Sequence, residues 1–351
     1  MVARSLIASD AVVIQAARHL SAGGLVVFPT ETVYGLGADA LSESAVAKIF
    51  RAKGRPTDHP LIVHLAEVTA ARDLADHWPP AADCLARAFW PGPLTLIVRK
   101  SLRVPLAVTG GQDSVGLRVP AQPVAQSLLK AFAAVGSGAI AAPSANRFGQ
   151  VSATRSEDVL TQLADAMAPD DIVIDGGPCT EGIESTVVDC TTPDARILRP
   201  GVLGRPAIAA ALQACGLRLA ETVAPPSPLL SVPRVSGSLD AHYAPRTPLW
   251  VLPLDQLGDR LMAHRAATPR ARVAVWTFSP DRLASQGGLD IESAPMDAVA
   301  YGRRLYAVLN DWDRAGYDLL CLEAPPVLPE WEAVHDRLRR AAFSFTNSSD
   351  N

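Results

Sequence analysis

The feature that most constrains this fold is the run of residues 24–65, GLVVFPTETVYGLGADALSESAVAKIFRAKGRPTDHPLIVHL, in which two short apolar segments bracket one capped amphipathic helix. The first segment, residues 25–28, is bounded by Gly24 and Pro29, the pattern of a buried strand that ends in a turn. Ser42 then stands as an N-cap with Glu43 in the first turn and Val46, Ile49 and Phe50 on one face, and Gly54 and Pro56 end the helix. The second segment, residues 60–65, is again strand-like, with His64 on the face of Ile62 and with Leu61, Val63 and Leu65 on the other. Strand, helix, strand is the unit of an α/β sheet, and such sheets hold ligands where strand ends and turns converge. Between the first strand and the helix, Gly35-Leu36-Gly37 reads as a loop whose glycines let backbone N–H groups approach a ligand.

Lys48, Arg51, Lys53 and Arg55 crowd the helix exit with no acid among them. Cations there complement the dipole of any helix. Followed at once by a buried-type strand carrying a histidine, they also mark a candidate anion site. Gly35-x-Gly37-x-x-Ala40 fits the loose dinucleotide pattern, but it lies several residues past the strand and lacks an acid about 20 residues on to hold a ribose. No GxxxxGK[ST] string occurs, so any nucleotide is held without a P-loop.

The rest of the chain continues the alternation. Residues 9–22 read as a capped helix, 68–78 and 82–89 as helices broken by Pro79-Pro80, and 94–99, 114–119 and 139–142 as strands, with 171–177 and 184–190 as a last strand pair. From Cys215 a proline-rich stretch without periodicity reads as a linker. Strands at 249–252, 272–278 and 318–322 and helices at 255–266, 296–315 and 330–342 then make a second, smaller α/β domain.

At 351 residues, 48% hydrophobic and 19% charged, the chain is long and apolar enough to bury two cores. No apolar run reaches the roughly 18 residues a membrane span needs. The first ten residues show no secretory pattern, so the expected location is the cytoplasm. Five cysteines, odd in number and without a CxxC pair, argue against a disulfide framework or a structural zinc site and for a reducing compartment. A formal net charge of −4 excludes wholesale nucleic-acid wrapping; RNA affinity would have to come from a local patch.

FPTETVYGLG, KGRP and PLIVH together resemble the Sua5/YrdC family of L-threonylcarbamoyladenylate synthases in its longer, two-domain Sua5 form, and the likeness continues through SVGLRVP, PSAN and ESTVVD. It covers essentially the whole chain and is stronger before Gly201 than after Pro248. The resemblance implies an α/β fold: a YrdC-like twisted open sheet with a cationic cavity over residues 1–215, a proline-rich linker or lid over 216–247, a Rossmann-like α/β C-terminal domain over 248–343, and a tail over 344–351. The activity it implies joins L-threonine, bicarbonate or CO2, and ATP into threonylcarbamoyl-AMP, releasing pyrophosphate, for the t6A modification of tRNA.

The family's site residues carry over onto matching positions. Lys53 and Arg55 are implied as the catalytic cations, and Arg55, His59, Ser114, Ser144, Asn146, Ser152, Arg199 and Tyr243 as ATP contacts. Thr32, His64, Arg118, Ala142 and Ser185 are implied to hold threonine, Arg118 by a charge-assisted grip on its carboxylate. No protein metal ligand is implied, and Mg2+ accompanies ATP. Residues 236–245 are expected to act as a lid with Tyr243 its main contact. Implied partners are downstream threonylcarbamoyl-transfer machinery and a weak tRNA contact, with no membrane. The chain departs from the pattern at His59, where the family has asparagine, and in SGSLDAHYAP, where many members carry a longer lysine-containing run. Two rival readings share the cavity: a carbamoyl-adenylate-forming domain of the hydrogenase-maturation type, and a double-stranded RNA or tRNA-binding module. ATP turnover that requires threonine and bicarbonate separates the synthase from the binding module.

Overall fold

The computed structural model describes residues 4–220, 232–284 and 287–346. The chain divides into two compact units, one made of Met1–Phe148 with Ser152–Ser238 and the other of Gly149–Val151 with Leu239–Asn351.

The first unit runs β1 (Arg4–Ile7), α1 (Asp10–Ser21), β2 (Val26–Phe28), β3 (Gly35–Asp39), α2 (Glu43–Lys53), β4 (Ile62–His64), α3 (Val68–Arg72), α4 (Pro80–Phe89) and β5 (Leu94–Arg99). It continues with α5 (Leu106–Thr109), β6 (Ser114–Arg118), α6 (Pro123–Val135), β7 (Ile140–Ala141), α7 (Ser156–Leu163), β8 (Ile172–Asp175), β9 (Thr186–Asp189), β10 (Arg196–Arg199) and α8 (Arg205–Ala214). The strands form one mixed ten-stranded sheet in the order β1-β8-β2-β3-β7-β4-β6-β5-β9-β10.

Helix α2 forms as its caps dictate: the Ser42 hydroxyl accepts from the Ala45 N–H, and Gly54 ends it in the left-handed conformation at φ 62°. Its apolar stripe, Val46, Ile49 and Phe50, joins a core that includes Val63, Leu96, Leu117 and Val188 from one face of the sheet. Along these strands the period of two turns every other residue to the opposite face. There His64 stands opposite Arg118 and Ile140, Gly116 opposite Ile97, and Thr95 opposite Val187. Helices α1 and α6 cover part of this second face, packing Ala16, Leu20, Leu128 and Phe132 on Val26, Phe28, Ile140 and Ile174. The stretch formed by β4, β6, β5 and β9 instead carries His64, Arg118 and Thr95 among its side chains.

Several expectations are corrected. Gly35-Leu36-Gly37 is not a ligand-approach loop but the start of β3, paired antiparallel with β2. A Cβ on Gly37 would stand 2.8 Å from Ile140 and 2.9 Å from Phe28, so glycine serves sheet packing there. Strands β8 and β9 are not a pair: β8 lies between β1 and β2, and β9 between β5 and β10. The helix expected over 68–78 is confined to α3.

The cysteine argument is also overturned, because Cys84 on α4 and Cys215 at the C-cap of α8 form a disulfide with Cα atoms 6.4 Å apart. Proximity between two helices far apart in sequence left no spacing motif to read. Cys179, Cys190 and Cys321 are free and buried.

The second unit contains β11 (Leu249–Leu252), α9 (Leu254–Ala267), β12 (Val273–Thr277), α10 (Pro280–Leu283), β13 (Leu289–Ser293), α11 (Ala298–Ala315), β14 (Leu319–Glu323) and α12 (Glu332–Thr346), with a 3-10 turn at Pro329–Trp331. Its four strands are all parallel, in the order β11-β14-β12-β13. Val273 and Val275 face Leu257 and Leu261 of α9. The alternate residue Trp276 meets Tyr301 of α11 at 4.1 Å between ring centroids, which places helices on both faces. Helix α12 runs through Thr346, into the segment expected to be a tail; residues 347–351 lie outside the described residues. Among the described residues, no helix is long and apolar enough to cross a membrane.

Candidate active site

The C-terminal ends of β4 and β6 set one end of the site. Parallel register places His64 beside Arg118, both buried at 4% exposure. The Arg118 guanidinium donates from Nη1 to Thr32 Oγ1 at 2.9 Å and from Nη2 to Glu31 Oε1 at 2.6 Å. Thr30 spends its own hydroxyl hydrogen on the Val33 carbonyl at 2.7 Å, so the Thr32 hydroxyl donates to Thr30 while accepting from Arg118. Two polar atoms in this cluster, Arg118 Nε and His64 Nδ1, are buried without a partner. Burial, and secondarily the Arg118 charge, pushes the His64 imidazole down to about 3, so it is neutral at physiological pH. A buried N–H and a neutral imidazole nitrogen, both unmatched, call for a polar ligand between them.

Ser185, just before β9, lies on the same side and shares a 2.8 Å hydrogen bond with Thr95 Oγ1 of β5. Arg199 at the end of β10 donates from Nη2 to the Ser185 carbonyl at 2.9 Å and to its hydroxyl at 3.2 Å. Its Nη1 donates to the Ser236 carbonyl at 2.7 Å. Arg55 reaches the same residue, Nη2 to Ser236 Oγ at 3.4 Å, and also donates to the Pro60 carbonyl at 3.0 Å. Ser236 thus joins the two arginines within the first unit. The chain before it is fastened down: Val235 packs on Ile97 and Val187, and the Arg234 N–H donates to Gln112 Oε1 at 2.7 Å.

The cationic helix exit splits, Lys53 by its place on the helix and Arg55 by the left-handed turn at Gly54 that precedes it. Lys53 and Arg55 turn inward, at 3% and 6% exposure, whereas Arg51 is exposed and Lys48 donates to the Gly23 carbonyl at 2.6 Å. Lys53 Nζ is held by the carbonyls of Ser144, at 2.6 Å, and Asn146. Burial, then the Arg55 charge, holds its amine well below the usual lysine range. The Arg55 guanidinium lies 5.6 Å from the centre of the Phe148 ring, against which His59 packs edge-on at 5.3 Å. His59 is itself lowered, by burial first and Arg55 second.

The expected residues therefore fall into linked groups: Thr32, His64 and Arg118; Lys53 with Ser144 and Asn146; Arg55 and Arg199 through Ser236, with Ser185 beyond. Ala142 is buried beside β4, its N–H donating to the Ile62 carbonyl at 2.9 Å. Ser114 opens β6, at the opposite end of that strand from Arg118. Ser152 donates to Glu184 Oε1 at 2.6 Å. Tyr243 belongs to the second unit, where its ring stacks on Tyr306 at 5.7 Å and lies 5.2 Å beneath the Arg337 guanidinium.

Sequence reasoning missed Glu31 and Thr95. The signal for Thr95 was a lone hydroxyl in the otherwise apolar strand LTLIV, and for Glu31 an acid between two threonines directly after a buried strand.

A mixed sheet whose open face gathers buried arginines, a buried lysine and paired hydroxyls is the frame of an α/β protein that binds an anionic, polar ligand. Residues 18–201 match the Sua5, YciO and YrdC family model, described as telomere recombination, and residues 207–343 match the threonylcarbamoyl-AMP synthase C-terminal domain. The threonylcarbamoyl-AMP synthase of Pyrococcus abyssi is 36% identical over 350 residues, covering 93% of both chains. That of Bacillus subtilis is 35% identical over 343 residues, covering 95% of this chain and 94% of the other. The crystal structure of P. abyssi Sua5 complexed with L-threonine matches with a TM-score of 0.82 at 34% identity, covering 98% of each chain. This chain belongs to the Sua5/YciO/YrdC family and carries that family's Sua5 C-terminal domain.

Proposed function

We propose that the chain is an L-threonylcarbamoyladenylate synthase, converting L-threonine, bicarbonate or CO2, and ATP into threonylcarbamoyl-AMP and pyrophosphate. The observation that carries the reading is the pair of buried, unpartnered polar atoms at Arg118 and His64, set on the face that also holds Ser185 and Thr95. An amino acid supplies what they lack, a carboxylate for the guanidinium N–H and polar hydrogens for the neutral imidazole.

Threonine's amine, once deprotonated, adds to CO2 to give a carbamate. One carbamate oxygen then attacks the α-phosphorus, and the bond to pyrophosphate breaks. The substrate is its own nucleophile, so the protein's work is positioning and charge compensation. Lys53 and Arg55 offset the charge that gathers on the leaving pyrophosphate. Burial, then the Arg55 charge, depresses the Lys53 amine, and a phosphate bound beside the two cations would raise it. His59, Ser114, Ser144, Asn146, Ser152, Arg199 and Tyr243 are the proposed remaining ATP contacts, and Thr32, Ala142 and Ser185 complete the threonine end. Mg2+ would enter as part of the ATP substrate. The proposed setting is the cytoplasm, where a threonylcarbamoyl-transfer enzyme for tRNA consumes the product, with at most a weak tRNA contact by this chain.

Pyrophosphate release measured with and without threonine and bicarbonate, together with mass-spectrometric detection of the adenylate, tests the reading. Release that requires all three substrates is expected. RNA binding with no threonine-dependent turnover would replace the synthase with a binding module.

A further inference from the structure

We infer that Glu31 is the positioning residue of the amino-acid end, fixing which edge of the Arg118 guanidinium faces the substrate. The inference rests on the proposed function and adds a residue that neither the sequence pattern nor the chemistry of the reaction assigns.

Glu31 is 6% exposed, and both its oxygens are engaged. Oε1 accepts from Arg118 Nη2 at 2.6 Å, and Oε2 accepts from the N–H groups of Ala121 at 3.1 Å and Gln122 at 3.4 Å. Gln122 is the N-cap of the 13-residue helix α6, so the carboxylate ties Arg118 to a rigid element. The backbone of Glu31 is held as well, its carbonyl accepting from the Glu181 N–H at 2.8 Å.

A guanidinium presents its N–H groups in a fixed planar fork. Thr32 takes Nη1 and Glu31 takes Nη2, which orients the plane and leaves Nε–H as the buried group without a partner. Register places His64 and its unmatched Nδ1 on the adjacent strand. Without the carboxylate, Arg118 keeps only the Thr32 contact and is free to turn its fork away from the β4 side.

Removing the charge of Glu31 has two effects, and only one of them is confined to a single substrate. Net positive charge in the cavity rises, which is not directional and acts on ATP at least as strongly as on threonine. Loss of orientation acts on threonine alone. Glu31→Gln is close to isosteric, but it sets an amide N–H2 against either the Arg118 or the backbone donors and so cannot satisfy both.

The test is steady-state pyrophosphate release by the full chain. Glu31→Gln is expected to raise the threonine KM about tenfold while leaving the ATP KM within about twofold, and Glu31→Asp, which keeps the charge, is expected to recover part of the loss. Unchanged threonine KM, or equal increases for threonine and ATP, overturns the inference. Should both variants fail to fold, the wild-type chain with 15N-labelled arginine still decides. The Arg118 Nε–H resonance, assigned by Arg118→Lys, shifts on adding threonine alone if the edge is presented as described. Absence of a shift in a protein that turns threonine over refutes it. A wild-type chain with no threonine-dependent turnover instead overturns the proposed function, so the two failures are distinguishable.

Discussion

Reducing the Cys84–Cys215 bond should lower the melting temperature of the first unit by about 10 °C. The bond closes a segment with a sequence separation of 131 residues, which contains Ser114, Arg118, Ser144, Asn146, Ser152, Ser185 and Arg199. Loop-closure entropy for a ring of that size amounts to about 5 kcal/mol at room temperature, withheld from the unfolded chain. A domain of this size shifts by roughly 2–4 °C per kcal/mol, and native disulfides deliver part or all of the ideal figure. Cys84 is buried and Cys215 exposed, so the extent of reduction is itself measured. Thiol titration in denaturant comes first. The oxidised chain should show only Cys179, Cys190 and Cys321, and the reduced chain all five cysteines. Thermal scans with and without reductant follow, with Cys84→Ser as a control that no longer responds. A chain with three titrating thiols that melts at the same temperature in reductant refutes the loop-closure reasoning, and five titrating thiols before reduction means the bond does not form.

Acid should destabilise the first unit through His64. Its folded value, about 3, lies below the ordinary histidine value, so the unfolded state binds the extra proton and stability falls as pH drops from about 6.5 toward 3, by up to about 1.4 kcal/mol per pH unit. Urea midpoints from pH 7.5 to 4.5 measure the slope, and a slope unchanged in His64→Asn would show that other groups carry it. Gly201→Ala should disable the fold around Ser185, because a Cβ there would stand 2.5 Å from the backbone of Glu184, Ser185 and Thr186. Loss of soluble protein or of threonine binding is expected, and normal kinetics would contradict the packing. Tyr243→Ala should lower the melting temperature of the second unit by several degrees, since a ring stacked on Tyr306 and beneath Arg337 is worth about 3 kcal/mol. An unchanged melting temperature would contradict the packing.

What could be read in advance was what is written locally. Ser42, Glu43 and Gly54 mark α2 to within a residue because capping depends on neighbours in sequence. The strand at 94–99 was legible because Gly92-Pro93 punctuates its start and its run of apolar residues is long. Pairings were not legible. Nothing near residue 184 states that β9 joins β5 rather than β8, and nothing near Cys84 names Cys215. Gly35 and Gly37 were misread because a glycine needed for close sheet packing looks the same in sequence as one needed for a ligand. At the site, the residues carried by the family motif were found, whereas Glu31 escaped because its role depends on Arg118 and the start of α6, both distant in the chain.

The placement of β1 bears on how the chain is made. Its neighbour in the sheet is β8, with Arg4 aligned to Ile172, and β8 also supplies the parallel partner of β2. At ordinary synthesis rates the first strand emerges on the order of ten seconds before the residues that will pair with it. During that interval Leu6 and Ile7 belong to a β-prone segment with no partner strand, while the caps and hydrogen bonds of α1 and α2 are local in sequence. Assembly of the edge therefore waits for most of the first unit to be translated. An N-terminal fusion or a chaperone that occupies this short strand should raise the yield of native protein without changing the stability of the finished fold.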